Sequence, residues 1–134
     1  MKTIYTLLLS ISVLTGAFAQ TITQQQAQTV AKAFYYEHVN QFKTTSYHDI
    51  IIKNSYTVAK NNQNTYHVVN IQPHAYVIVA ADKAINPIIA YSYTSYCPQS
   101  NQIAPFTWWM DKVSDEIIHH YEQNIKASSK TAIP

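Results

Sequence analysis

Apolar residues recur at three- and four-residue steps through Ala27, Val30, Ala31, Phe34, Tyr35, Val39 and Phe42, the spacing that lines one face of a helix over Thr23 to about Phe42. Thr23-Gln24-Gln25-Gln26 marks its start as a capping box, in which a threonine hydroxyl and a glutamine three residues on satisfy free backbone amides. The polar stretch Lys43 to His48 reads as a turn. From Ile50 the chain becomes rich in Ile, Val, Tyr and Thr, which suit a pleated surface. Strands are expected near Ile50 to Ile52, Tyr56 to Lys60, Thr65 to Ile71, Tyr76 to Ala81 and Pro87 to Tyr91, the first two able to form one interrupted strand. Asn61 to Asn64, Gln72-Pro73-His74 and Asp82 to Asn86 supply short connections, which favour an antiparallel meander. Tyr76 to Ala81 is apolar on both sides of the pleat and is expected to be the central strand, covered on both faces.

Tyr93 to Pro105 is long, polar and irregular, with Pro98 and Pro105 expected to stiffen it, and ordered loops of this length often carry function. A second helix is expected from Thr107, with Trp109, Val113, Ile117, Tyr121 and Ile125 on its buried stripe, acidic residues Asp111, Asp115 and Glu116 early and Lys126 at its close. Ser128 to Pro134 reads as a short polar tail that frays. The pattern predicts an α+β domain: an antiparallel sheet of about four strands with an N-terminal and a C-terminal helix.

The first nineteen residues read differently. Lys2, the apolar run Ile4 to Leu14 and the small-x-small site Ala17-Phe18-Ala19 form a secretory signal, placing the protein outside the cell or in a periplasm. That run is shorter than the roughly 18 apolar residues a span requires, so no membrane role is expected. Removing 19 residues from 134 leaves 115, enough for one domain with a real core. The only glycine, Gly16, lies in the signal, which excludes glycine-rich phosphate loops and leaves tight turns to Asn, Asp, Pro and Gln. The chain has no arginine, and its near-neutral balance argues against nucleic acid.

Three blocks carry a resemblance. Tyr76-Val77-Ile78-Val79-Ala80-Ala81-Asp82-Lys83, followed by Asn86-Pro87-Ile88-Ile89-Ala90-Tyr91-Ser92, is similar to the aromatic-Val-Ile-Val-Ser-x-Asp stretch and its Pro-x-Ile-Leu-Gly-Tyr-Ser continuation in the prosegments of streptopain-type cysteine proteases. Tyr66 to Asn70 and Ala27 to Phe34 resemble that family's preceding strand and first helix, and Phe106 to Ile117 its last helix. Family glycines stand here as Ala75, Ala81 and Ala90, where any positive-φ backbone would be strained. The resemblance implies an antiparallel sheet with helices, acting by covering the cleft of a streptopain-like protease. With no catalytic domain in this sequence, the expectation is a free-standing inhibitor, monomeric when free, with an orphan prosegment or a general protein-binding module as the alternatives. In the family the loop before the last helix enters the cleft with a polar residue. The comparable contacts here are Asn101, Gln102, Ile103, Pro105 and Phe106, with Trp108 beside them. Pro105 stands at the aligned polar position, so Asn101 or Gln102 would take over that contact.

Other chemistry-bearing residues read more plainly. Cys97, the only cysteine, has no partner for a disulfide and no adjacent base for catalysis, leaving a half-buried filler or, if well exposed, a mixed disulfide with a protease. His119 and His120 diverge on a helix, and His38, His48, His67 and His74 show no ligand spacing, so neither a metal nor another cofactor is expected. Asp82 reads as a turn cap. Trp109 fits the core and Trp108 a partly exposed contact.

Overall fold

The computed structural model describes residues 21–131, with side chains as far as residue 124. It contains helix α1 (Gln24–Val39), strands β1 (Ile52–Lys60), β2 (Gln63–Ile71), β3 (Ala75–Ala80) and β4 (Ile88–Ser92), and helix α2 (Ala104–Thr131). The strands form one antiparallel meander in the order β1-β2-β3-β4. This is the expected α+β fold.

Alternation along the strands divides the core in two. Val69, Ile71, Ala75, Val77 and Val79 point to one face and pack with Ala27 and Ala31 of α1. Tyr66, Val68 and Ile78 point to the other and pack with Cys97 and Met110, flanked by Phe106 and Val113 of α2. The sheet is therefore the middle of three layers, and β3 is doubly covered as its composition predicts. So is β2, in which every residue from Thr65 to Ile71 is buried.

Local chemistry explains the element ends. The Thr23 hydroxyl accepts from the Gln26 amide and the Gln26 side chain accepts from the Thr23 amide, completing the capping box. Asn61 and Asn62 adopt φ of 52° and 60° between paired Lys60 and Gln63, a two-residue turn whose left-handed residues asparagine tolerates better than most. Ala75, Ala81 and Ala90 are not among the positive-φ residues, so replacing glycine there strains nothing. The interrupted first strand is real: pairing shifts register between Ile52 and Asn54, and Lys53 is the extra residue. Ile50 lies outside β1, buried after a short 3-10 turn at Tyr47–Asp49.

Four expectations are corrected. Helix α1 stops at Val39, because Asn40 folds its side chain back onto the Tyr36 carbonyl and receives the Thr45 amide. Phe42 therefore leaves the stripe and is 87 % exposed. Helix α2 starts at Ala104, three residues early: Pro105 has no N–H to lose in the first turn, and the Thr107 amide donates to the Ile103 carbonyl. Its buried face is Met110, Ser114 and Ile117 with Val113 and Phe106 at the side, leaving Trp109 41 % exposed. The small Ser114 seats α2 against β2, donating to the Thr65 hydroxyl, which itself donates to the Val58 carbonyl; an indole would not fit there. Finally, the backbone of α2 stays helical through Thr131, since no glycine or proline interrupts it earlier. The side chains of Ile125 and Lys126, the last residues of the tail and the signal at 1–19 lie outside the described residues.

Candidate functional site

Residues 93–103 run irregularly from β4 to α2 across the sheet face that α2 shares. A loop of this length needs anchors, and it has three. Asn70, 3 % exposed and next to last in β2, accepts the Cys97 N–H at 2.8 Å and donates to the Cys97 carbonyl at 3.0 Å. Its remaining amide hydrogen goes to Asn54 on β1 at 2.8 Å. The Tyr56 hydroxyl lies 3.1 Å from both the Cys97 and the Pro98 carbonyls and directs its single proton to that pair. Gln102 then closes the loop on itself, its Nε2 donating to the Pro98 carbonyl at 2.7 Å.

These groups are uncharged. Burial, assisted by the bond to Cys97, pushes the Tyr56 phenol up, and burial likewise raises the Cys97 thiol, opposed by its contact with Tyr56. Tyr66 and Tyr76 beneath the loop are raised by burial too. The anchor is thus a neutral hydrogen-bonded knot. Cys97 is 4 % exposed, so it is a core filler, more buried than expected, and lacks the accessibility a mixed disulfide would need.

Of the contacts predicted from sequence, Asn101, Gln102, Ile103 and Phe106 line one shallow cleft with Tyr76 and Tyr96. Asn101 has φ of 59°, a left-handed step that turns the chain into α2. Ile103 is 71 % exposed and Trp108 65 % exposed, whereas Phe106 is half-buried against the core and packs edge-on to Trp109. Pro105 is exposed on the first turn of α2, and neither it nor Trp108 lines the cleft. The loop therefore presents Ile103 and the polar end of Asn101 on a fixed base, with Trp108 exposed on the second turn of α2, while Gln102 Nε2 is held by the Pro98 carbonyl. Such a surface can dock; it has no acid, base or nucleophile arranged for turnover.

Residues 19–117 match the family described as Spi protease inhibitor. The chain belongs to the Spi protease inhibitor family. That match takes in the whole of α1, the whole sheet, the loop and the first half of α2, and it makes the protein a protease inhibitor and not an enzyme. No curated protein and no solved structure matches the chain.

Sequence reading missed the inhibitor's anchors. Asn70 interrupts the run Val68-Val69-Asn70-Ile71, a polar residue in a strand apolar on both faces, and that interruption is the signal that could have found it. Nothing local identifies Asn54 as its partner or Tyr56 as a second anchor of the loop. Asp82 does cap its turn, accepting the Ala84 amide at 2.9 Å, and among the described residues no cluster suited to a metal occurs. Nor is any helix among them long and apolar enough to cross a membrane.

Proposed function

We propose that this inhibitor is exported through its N-terminal signal and acts, as a monomer, on a streptopain-type cysteine protease made by the same cell. Asn101, Gln102, Ile103, Pro105 and Phe106 would enter the cleft, with Trp108 packing at its rim. The observation that carries this reading is the neutral knot under the loop: Asn70 and Tyr56 hold Cys97 and Pro98 before any partner arrives. A loop already ordered loses less conformational freedom on association, so more of its contact energy appears as affinity. The choice of protease class rests on the similarity of Tyr76 to Lys83 and Asn86 to Ser92 to streptopain-type prosegments. Occlusion suits the chemistry of the segment, which offers hydrogen-bonding groups and apolar bulk on a held base.

The test is a titration of a purified streptopain-type protease, from the same genome where one exists, with residues 20–134. Residual activity should fall to zero near equimolar inhibitor. Full activity in the presence of folded protein would instead leave an orphan prosegment or a binding module for another partner.

A further inference from the structure

We propose that Asn70 is the positioning residue of the inhibitory loop, a role that rests on the loop reading above. Asn70 lies in β2 opposite Tyr76 of β3 and Asn54 of β1, on the sheet face shared with Val68, Ile78 and α2. An apolar side chain would cost less there, since a buried amide must replace every bond it made to water. It does replace them. Oδ1 takes the Cys97 N–H and Nδ2 gives to the Cys97 carbonyl, so one side chain grips both backbone groups of one loop residue, as a neighbouring strand would. The two backbone groups of Cys97 fix which end of the amide faces which, because the reversed amide would set donor against donor at the N–H and acceptor against acceptor at the carbonyl, and Asn54 Oδ1 takes the remaining Nδ2 hydrogen.

The grip passes along the chain. Cys97 is joined to Pro98, the Pro98 carbonyl receives Gln102 Nε2, and Gln102 is flanked by Asn101 and Ile103, the residues that face outward. Asn70 touches none of the outward surface. It acts on the contact residues only by holding the base on which they stand.

Asn70→Asp separates positioning from bulk packing. The ionised carboxylate still accepts the Cys97 N–H but repels the Cys97 carbonyl, whereas the protonated acid can again accept from one and donate to the other. The experiment measures dissociation constants for a catalytically inert streptopain-type protease at pH 7.5 and at pH 5, for the native chain and the variant, with folding checked by circular dichroism. The variant should bind about tenfold more weakly than the native chain at pH 7.5 and recover to within about threefold at about pH 5, where burial favours the protonated acid. Equal affinities at pH 7.5 from a folded variant overturn the proposal. Hydrogen exchange on the native chain supplies the second arm, and it decides the matter if the ionised variant does not fold. The Cys97 amide should be protected far beyond that of Ser100, and exchange as fast as Ser100 would also overturn it. If the native chain itself fails to bind, the functional reading has failed, and the exchange result still reports whether Asn70 pins the loop.

Discussion

His67 is buried in β2 with Nε2 2.7 Å from the Ile22 carbonyl and Nδ1 2.8 Å from the Thr57 hydroxyl. A carbonyl only accepts, so Nε2 carries a hydrogen; the Thr57 hydroxyl has one proton, for which the closer Nδ1 competes with Gln24 Oε1 at 3.3 Å, and burial favours the neutral ring. Burial pushes its pKa down, and the bond to Ile22 offsets only part of that. The folded state thus binds fewer protons than the unfolded one, and stability is lost as pH falls from the unfolded value, about 6.5, toward the lower folded value. Urea unfolding should show a free energy that declines below pH 6.5 by up to about 1.4 kcal/mol per pH unit from this residue, with a flatter slope in His67→Asn. An unchanged slope in that variant would assign the acid sensitivity elsewhere. The same burial logic applies to Cys97: its thiol should ignore a disulfide reagent until denaturant is added. A native thiol that reacts within seconds would contradict the buried site.

The start of α1 and the β1–β2 turn are set by residues acting on their nearest neighbours, and these were legible in the sequence, whereas the end of α1 at Val39 was placed three residues late. Thr23 and Gln26 announce the helix start because the cap is a four-residue event. Thr23→Ala should cost about 1 kcal/mol, read as a lower urea midpoint with unchanged slope, and no loss would mean that the Ile22 to Ala81 bond holds the helix start unaided. At the turn, Asn62→Val should destabilise by about 1–2 kcal/mol, because a β-branched residue resists φ of 60°. What the sequence withheld was long-range. The rotation of α2 depends on Ser114 meeting Thr65 across 49 residues, so the amphipathic pattern, which counted Trp109 as core and did not single out Ser114, chose a neighbouring face. Asn70 meeting Cys97 across 27 residues was equally invisible, though the loop it holds could be marked by length and composition.

A sheet covered on both faces lets the two halves of the molecule take different duties. The α1 face holds Ile71 with Val69, Val77 and Val79, and none of these belongs to the cluster that contains Cys97 of the 93–103 loop. The α2 face holds Ile78 with Met110 and Cys97, so its packing is continuous with the base of the loop. Ile71 and Ile78 are the same residue type, both fully buried and on adjacent strands, which makes them a matched pair. Ile71→Ala and Ile78→Ala should each cost about 2–5 kcal/mol, through lost burial and an unfilled cavity. Their effects on protease inhibition should part company. At a temperature where both variants remain folded, Ile71→Ala should leave the inhibition constant within about twofold of native, whereas Ile78→Ala, with room opened beneath Cys97, should weaken it several-fold or more, because a loop with freedom restored must be ordered again on binding. Parallel titrations at matched folded fraction check this. Equal losses in the two variants would mean that inhibition follows global stability, and that the division between a supporting face and a presenting face has no functional content.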